Sequence, residues 1–253
     1  MRVYQCQDCM EGIFTAIYNA YEDKSKPQDT RISLTDELLL FAEYVTVEIN
    51  WDKAMKVTRT LKNRFGEENY SKICFALSAP DLEKAQAVYQ TVARGLSCGV
   101  GRGHLIDNLA DDAVHKVFQL ARGAENEFCH LRGFVRFQEV QGDVLYSKIA
   151  PKNNMVSFLM PHFADRFPME NFMIYDEGRR LFGIHPAGKE WFLMQDKEAA
   201  FRETELVLSE KETEYQELFR YFCHKIAIKE RENLLLQRNM LPLRFQDYMV
   251  EFN

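Results

Sequence analysis

Three stretches of this chain carry residue types that could hold a polyanion or move a proton. The first is Glu127-Phe128-Cys129-His130-Leu131-Arg132-Gly133-Phe134-Val135-Arg136-Phe137. Read as a helix end entering a strand, it places Arg132, Phe134 and Arg136 on one face by the two-residue period, with Val135 and Phe137 on the other. Arginines alternating with an aromatic offer stacking plus phosphate clamping, as single-strand platforms do. A half-buried strand with two solvated arginines is the plain alternative. The second is Met160-Pro161-His162-Phe163-Ala164-Asp165-Arg166-Phe167. His162 and Arg166 are four apart and share a helix face, while Phe163 and Phe167 share the adjacent one and should anchor the helix to a sheet. A cationic neighbour disfavours the charged imidazole, leaving a neutral ring that can act as base or hydrogen-bond donor. A packed, hydrogen-bonded histidine is the commoner use of such a position. Asp176 and Arg179, in a strand turn, can pair with each other or with Arg166.

The third stretch is the C-terminal helix and tail. Between Arg220 and Arg244 the cations Arg220, Lys225, Lys229, Arg231, Arg238 and Arg244 face only Glu230 and Glu232, a local net of +4 in a chain of net charge -6. The preceding segment is the reverse, with Glu203, Glu205, Glu210, Glu212, Glu214 and Glu217. Such asymmetry can mark a polyanion-facing surface. A long helix also complements its own dipole by placing acids first and bases last. That order does not account for Arg238 and Arg244 beyond the helix.

Other chemistries are excluded or weakened. Cys6 and Cys9 form a C-x-x-C, but the remaining cysteines, Cys74, Cys98, Cys129 and Cys223, supply neither a second zinc-spaced pair nor a third clustered thiolate. The pair reads as two thiols beside the first strand, and no metal or cofactor is expected. Residues 98–104, Cys-Gly-Val-Gly-Arg-Gly-His, superficially suggest a phosphate cradle. They follow a helical pattern, whereas the dinucleotide fingerprint follows a strand, so an interhelical turn is expected. Nucleophile-elbow, metalloprotease, Walker and zinc-deaminase motifs are absent from the sequence.

The elements that must position these residues follow from periodicity. With 46% hydrophobic and 28% charged residues in 253, the chain can build a sizeable core. Residues 2–6 read as a strand, Asp8 as an N-cap, and the run from Met10 to Tyr21 as an amphipathic helix. Residues 24–31 read as a loop, 45–49 as a strand, and Asp52 opens a helix to Phe65. Helical patterns continue to about residue 122. In the second half, residues 134–140 and 144–149 form an expected hairpin around Gly142. Residues 154–167 read as a helix, and 172–175, 181–185 and 191–194 as strands. A long helix then spans 209–233, opened by a Ser209/Glu212 capping box. The expected fold is α+β: a mostly helical region over 1–104 with an edge strand or two, then a mixed region over 105–253 with a short-stranded antiparallel sheet packed by helices. The longest apolar runs, such as residues 38–42, are too short to span a bilayer, and no apolar leader opens the sequence. The cytoplasm is the expected compartment.

At these segments the chain resembles a bacterial family of uncharacterised "probable DNA metabolism proteins". Its members are found beside a radical-SAM protein assigned to DNA repair or modification, or fused to a uracil-DNA-glycosylase-like domain. The resemblance rests on Tyr4, Asp8 and the run from Met10 to Tyr21, then on residues 127–137, Pro151, Pro161-His162-Phe163, Arg166-Phe167, Asp176 and Arg179. In the tail it rests on Tyr215-Gln216, Leu218-Phe219-Arg220, Ile226-Ala227-Ile228, Arg231, Asn233, Gln237, Met240, Pro242 and Arg244. The chain departs from the family at Leu243 and Phe245-Gln246, where one cation and one aromatic are lost. No uracil-DNA-glycosylase signature is present in it.

The resemblance implies an accessory protein in DNA repair or modification. Its partners would be DNA, a radical-SAM protein or a uracil-DNA-glycosylase-like protein, met through Arg132, Arg136, Arg166, Arg179, Arg231 and Arg244. A different reading makes the chain an enzyme, with His162 as acid or base and Asp176 orienting the substrate. A third makes it a structural interaction module, its arginines serving as internal partners for glutamates.

Overall fold

A computed structural model describes residues 1–24, 26–36, 39–99, 101, 103–197, 201 and 206–252. The fold is α+β. It divides into two compact units, Met1–Asn126 and Glu127–Asn253. The division falls inside a helix, α5 (Asp112–Phe134), and not at the expected 104/105 step. The glycine-rich stretch that drew that expectation joins two helices within the first unit; its Val100 and Arg102 lie outside the described residues, as do Glu203 and Glu205 of the acidic segment and Leu38.

The first unit is built on β1 (Arg2–Gln5), which lies between two other strands, both parallel to it: β2 (Thr30–Ser33) and β3 (Glu43–Thr46). A central parallel strand is covered on both faces, and accordingly the neighbours Val3 and Tyr4 are both buried. The loop expected over residues 24–31 gives way to β2 at Thr30. Four residues behind Pro27 carry too little pattern to be seen, and the strand exists because β1 supplies its hydrogen bonds. Helix α1 (Met10–Glu22) packs Ile13, Phe14 and Ile17 into the core. Its N-cap is Cys9, whose Sγ accepts from Gly12 N at 3.3 Å; Asp8 instead pairs with Lys84 Nζ at 2.6 Å. Helices α2 (Trp51–Phe65), α3 (Glu67–Ser78) and α4 (Lys84–Ser97) complete this unit with the first part of α5.

The second unit holds a five-stranded sheet in the order β4 (Gln138–Val140), β5 (Val144–Ile149), β6 (Asn171–Asp176), β7 (Leu181–His185), β8 (Phe192–Gln195). The expected hairpin turns at Gly142 and Asp143, both with positive φ. The expected all-antiparallel sheet is corrected at one place: β5 and β6 run parallel. The helix between them, α6 (Val156–Arg166), makes the crossover that a parallel pair requires. α6 rests against β7 where Gly183 leaves room for Met160 and Val156. Its Phe163 clusters with Phe137, Phe167 and Phe172 at centroid distances of 5.1 to 6.5 Å, edge to face except for Phe163 and Phe167, which stack. The opposite sheet face carries Tyr146, Tyr175 and Phe182, packed with Phe201.

Two further expectations change. Residues 132–134 are helical, since α5 continues through Phe134, and β4 begins only at Gln138. Phe128, Leu131 and Val135 also satisfy a helical period, and Leu131 is buried, so the helical pattern wins over alternation. Arg132, Phe134 and Arg136 therefore share no strand face. The long C-terminal helix ends early: α7 covers Glu210–Ile226, followed by a 3-10 turn (Lys229–Arg231), α8 (Leu234–Met240) and α9 (Leu243–Gln246). Half of the capping box forms. Ser209 Oγ accepts from Glu212 N at 3.0 Å, but the Glu212 carboxylate accepts from Glu139 N and Gln216 Nε2, while Ser209 N donates to Glu139 O.

Candidate functional site

The predicted site residues separate into internal ties and an exposed cluster. Asp176, at the end of β6, has no exposed surface. Its carboxylate accepts from Arg179 N at 3.1 Å and from Arg179 Nη1 at 3.0 Å. Burial still holds its pKa above the usual aspartate value, against the pull of Arg179. The Arg179 guanidinium also donates to Pro151 O at 3.0 Å and Lys152 O at 2.5 Å. Glu127, buried on α5, grips the same loop from a second side. One carboxylate oxygen accepts from Lys152 N at 3.0 Å and from the Arg244 guanidinium at 3.1 Å. The other accepts from Asn153 N at 2.8 Å and Asn153 Nδ2 at 2.7 Å. The segment between β5 and α6 is thus fastened by two buried carboxylates, each matched to an arginine. Arg136 is a third tie, donating to Glu251 Oε1 at 2.8 Å and to Gly133 O at 2.9 Å.

Arg132, His162 and Arg166 are brought together by two helices. α5 supplies Phe128 and Arg132, and α6 supplies Phe158, His162 and Arg166, each set at four-residue spacing and so on one face. The two phenylalanines meet edge to face at 6.3 Å. Arg132 lies 5.6 Å over the Phe128 ring, and Arg166 lies 5.6 Å over the Phe167 ring. Both arginines are exposed, and no ion pair to either is found among the described residues. His162 is half-buried against Phe163. Burial lowers its pKa first, and the charges of Arg132 and Arg166 lower it further, against Asp165. The ring is neutral near pH 7 and has one N–H to donate. Two guanidinium forks beside a neutral imidazole form an oxyanion-binding set, with aromatic rings as its floor. Asp176 does not join it: its contacts run to Arg179 and the neighbouring backbone.

Of the remaining predicted residues, Arg231 is exposed in the 3-10 turn, and Arg244 lies over Phe245 at 4.6 Å beside Glu127. Sequence reasoning missed Glu127 as an organising residue. Its signal was a lone carboxylate within an otherwise apolar helix face, which only a matched donor set makes meaningful. It also missed a polar cavity of about 200 Å³ lined by Arg136, Lys148, Arg220, Tyr146, Asp247 and Tyr248. The cations there are already engaged, Arg136 with Glu251, Lys148 with Glu177 at 3.1 Å and Arg220 with Val250 O at 3.2 Å. In the first unit, Cys9 caps α1 and burial pushes the Cys6 thiol up to about 12, so neither is poised as a thiolate. No cluster of three metal-ligating side chains occurs among the described residues, and no helix among them is long and apolar enough to cross a membrane.

A family model described as a domain of unknown function (DUF4130) matches residues 82–251, and the chain belongs to that family. The match takes in all of the second unit's sheet, both helices of the arginine cluster and α7 through α9. No curated protein matches the chain.

Proposed function

We propose that this member of the DUF4130 family is an accessory protein in DNA repair or modification, holding a nucleic-acid backbone on the Arg132–His162–Arg166 face for a separate enzyme. The observation that carries the reading is the convergence of two exposed arginines and a half-buried histidine from α5 and α6, with Arg132 over Phe128 and Arg166 over Phe167. Phosphodiesters are oxyanions that guanidinium forks bind in two-point fashion, and half-buried rings beside them favour an unstacked base. The DNA context comes from the resemblance to proteins found beside a radical-SAM protein or fused to a uracil-DNA-glycosylase-like domain; those proteins are the partners to be tried. The chain's net charge of -6 restricts the contact to a local patch. The structural-module reading fits Arg136, Arg179 and Arg244, which serve the fold, and leaves Arg132 and Arg166 without a task.

Fluorescence anisotropy with short single-stranded, duplex and uracil-containing DNA tests the proposal. Two phosphate contacts on a single strand give a salt slope of about -1.4, so a fourfold rise in salt should weaken binding about sevenfold. Arg132→Ala and Arg166→Ala should each flatten that slope by about 0.7, and Arg231→Ala should leave it unchanged. Absence of binding at low salt, or a slope indifferent to Arg132 and Arg166, overturns the assignment.

A further inference from the structure

The C-terminal helix presents a surface that the nucleic-acid reading does not use. α7 has no buried residue along its whole length. Tyr215, Leu218, Phe219, Phe222 and Ile226 fall within one stripe at about 100° per residue. They are 66, 61, 41, 52 and 58% exposed. Beside the stripe lies an apolar groove of about 540 Å³, lined by Phe137, Tyr215, Leu218, Phe219, Phe222 and Val250. Contiguous apolar surface of this kind marks an interface. The half-buried residues of the helix, Glu212, Gln216 and Cys223, fall together on the side facing the fold.

The charges identify the occupant. Along α7 the acids Glu210, Glu212, Glu214 and Glu217 outnumber Lys211 in the first half, and Arg220, His224 and Lys225 follow. A parallel neighbour of the same sequence would set acid against acid. An antiparallel one sets a net acidic half against a basic half, and a two-fold axis near Phe219–Arg220 repeats that match on both sides, with Glu214 and Lys225 as the facing charges. On the wheel Glu214 and Lys225 both flank the stripe, on the edge away from the fold, and their numbers are symmetric about that axis. The sign order also suits the helix's own dipole, but the dipole gives no reason for an open row of five apolar side chains. We infer that α7 is a self-association surface: two copies of this chain pair antiparallel through the stripe from Tyr215 to Ile226, with Glu214 of each facing Lys225 of the other. The interface is isologous, so one patch serves both subunits.

Sedimentation equilibrium of the full chain from about 1 to about 100 µM tests this. The expected result is a species of twice the 29.7 kDa chain mass that Phe222→Glu returns to single mass with an unchanged circular dichroism spectrum. Glu214→Lys and Lys225→Glu should each weaken association by about tenfold, because each sets two like-charged pairs across the axis. An equimolar mixture of these two variants should recover it, since in the heterodimer both facing pairs are again opposite in sign. A single-mass species throughout overturns the inference. So does a dimer indifferent to Phe222→Glu, or a mixture no tighter than its components.

Discussion

Arg179→Met probes the principal tie of the second unit. The substitution keeps an unbranched apolar stem and removes the guanidinium with its charge. It deletes the 3.0 Å bond to Asp176 and the two bonds to the carbonyls of Pro151 and Lys152. Asp176 remains fully buried, with only backbone N–H donors left to its carboxylate. Breaking a buried pair from one side costs about 3–5 kcal/mol; with the Arg179 side chain 27% exposed, water can enter and the lower end, about 3 kcal/mol, applies. The loss should depend on pH. Burial already places the folded pKa of Asp176 above its unfolded value of 3.8, and removing Arg179 raises it further. A group with a raised folded pKa contributes stability that is present below the unfolded value and lost as pH rises through the folded one. The gap between Arg179→Met and the parent should therefore be wider at pH 8 than at pH 4.5. Adding Asp176→Asn should recover part of it, because a neutral amide replaces the stranded charge. The assay is denaturant unfolding followed through Trp191 in a Trp51→Phe background. Trp51 is 66% exposed in the first unit, and Trp191 leads into β8 of the second. A penalty below about 1 kcal/mol at pH 8, the size of a surface pair, refutes the reasoning. A penalty equal at both pH values, or untouched by Asp176→Asn, does so as well.

Other outcomes follow from the same geometry. An NMR titration should place the His162 pKa below the ordinary histidine value, and Arg132→Ala should move it up; no movement would separate the two groups. Gly183→Ala would bring a Cβ to 2.8 Å from Val156 Cγ1 and against Met160, costing about 1–3 kcal/mol in the Trp191 assay. Pairing it with Met160→Ala should cost less than the sum of the single changes, since the smaller side chain vacates that space.

The elements with strong local patterns were legible in the chain. α1, α2, α6 and the strands β5 to β8 lie within a few residues of their expected places, because each carries its own period and its own breakers. β2 was not legible: residues 30–33 become a strand only when β1 lies beside them. The parallel pairing of β5 with β6 was not legible either, since a strand reads the same in both directions and the crossover through α6 settles which neighbour it meets. At 132–136 two periods competed, and burial of Leu131 decided for the helix.

The arginines show the same limit in sharper form. The sequence by itself determined which residue types were present, and their spacing already put His162 and Arg166 on one helix face. It could not sort Arg136, Arg179 and Arg244 from Arg132 and Arg166, because a guanidinium carries the same charge whether it meets a carboxylate or water. Only the tertiary structure decided that. It buried Glu127 and Asp176, which must then be matched by donors that reach them, and it left Arg132 and Arg166 on the outer face of two packed helices. It likewise set α7 apart, because it leaves the apolar row from Tyr215 to Ile226 open. Charge and polarity are properties of residues, whereas desolvation belongs to the fold that surrounds them.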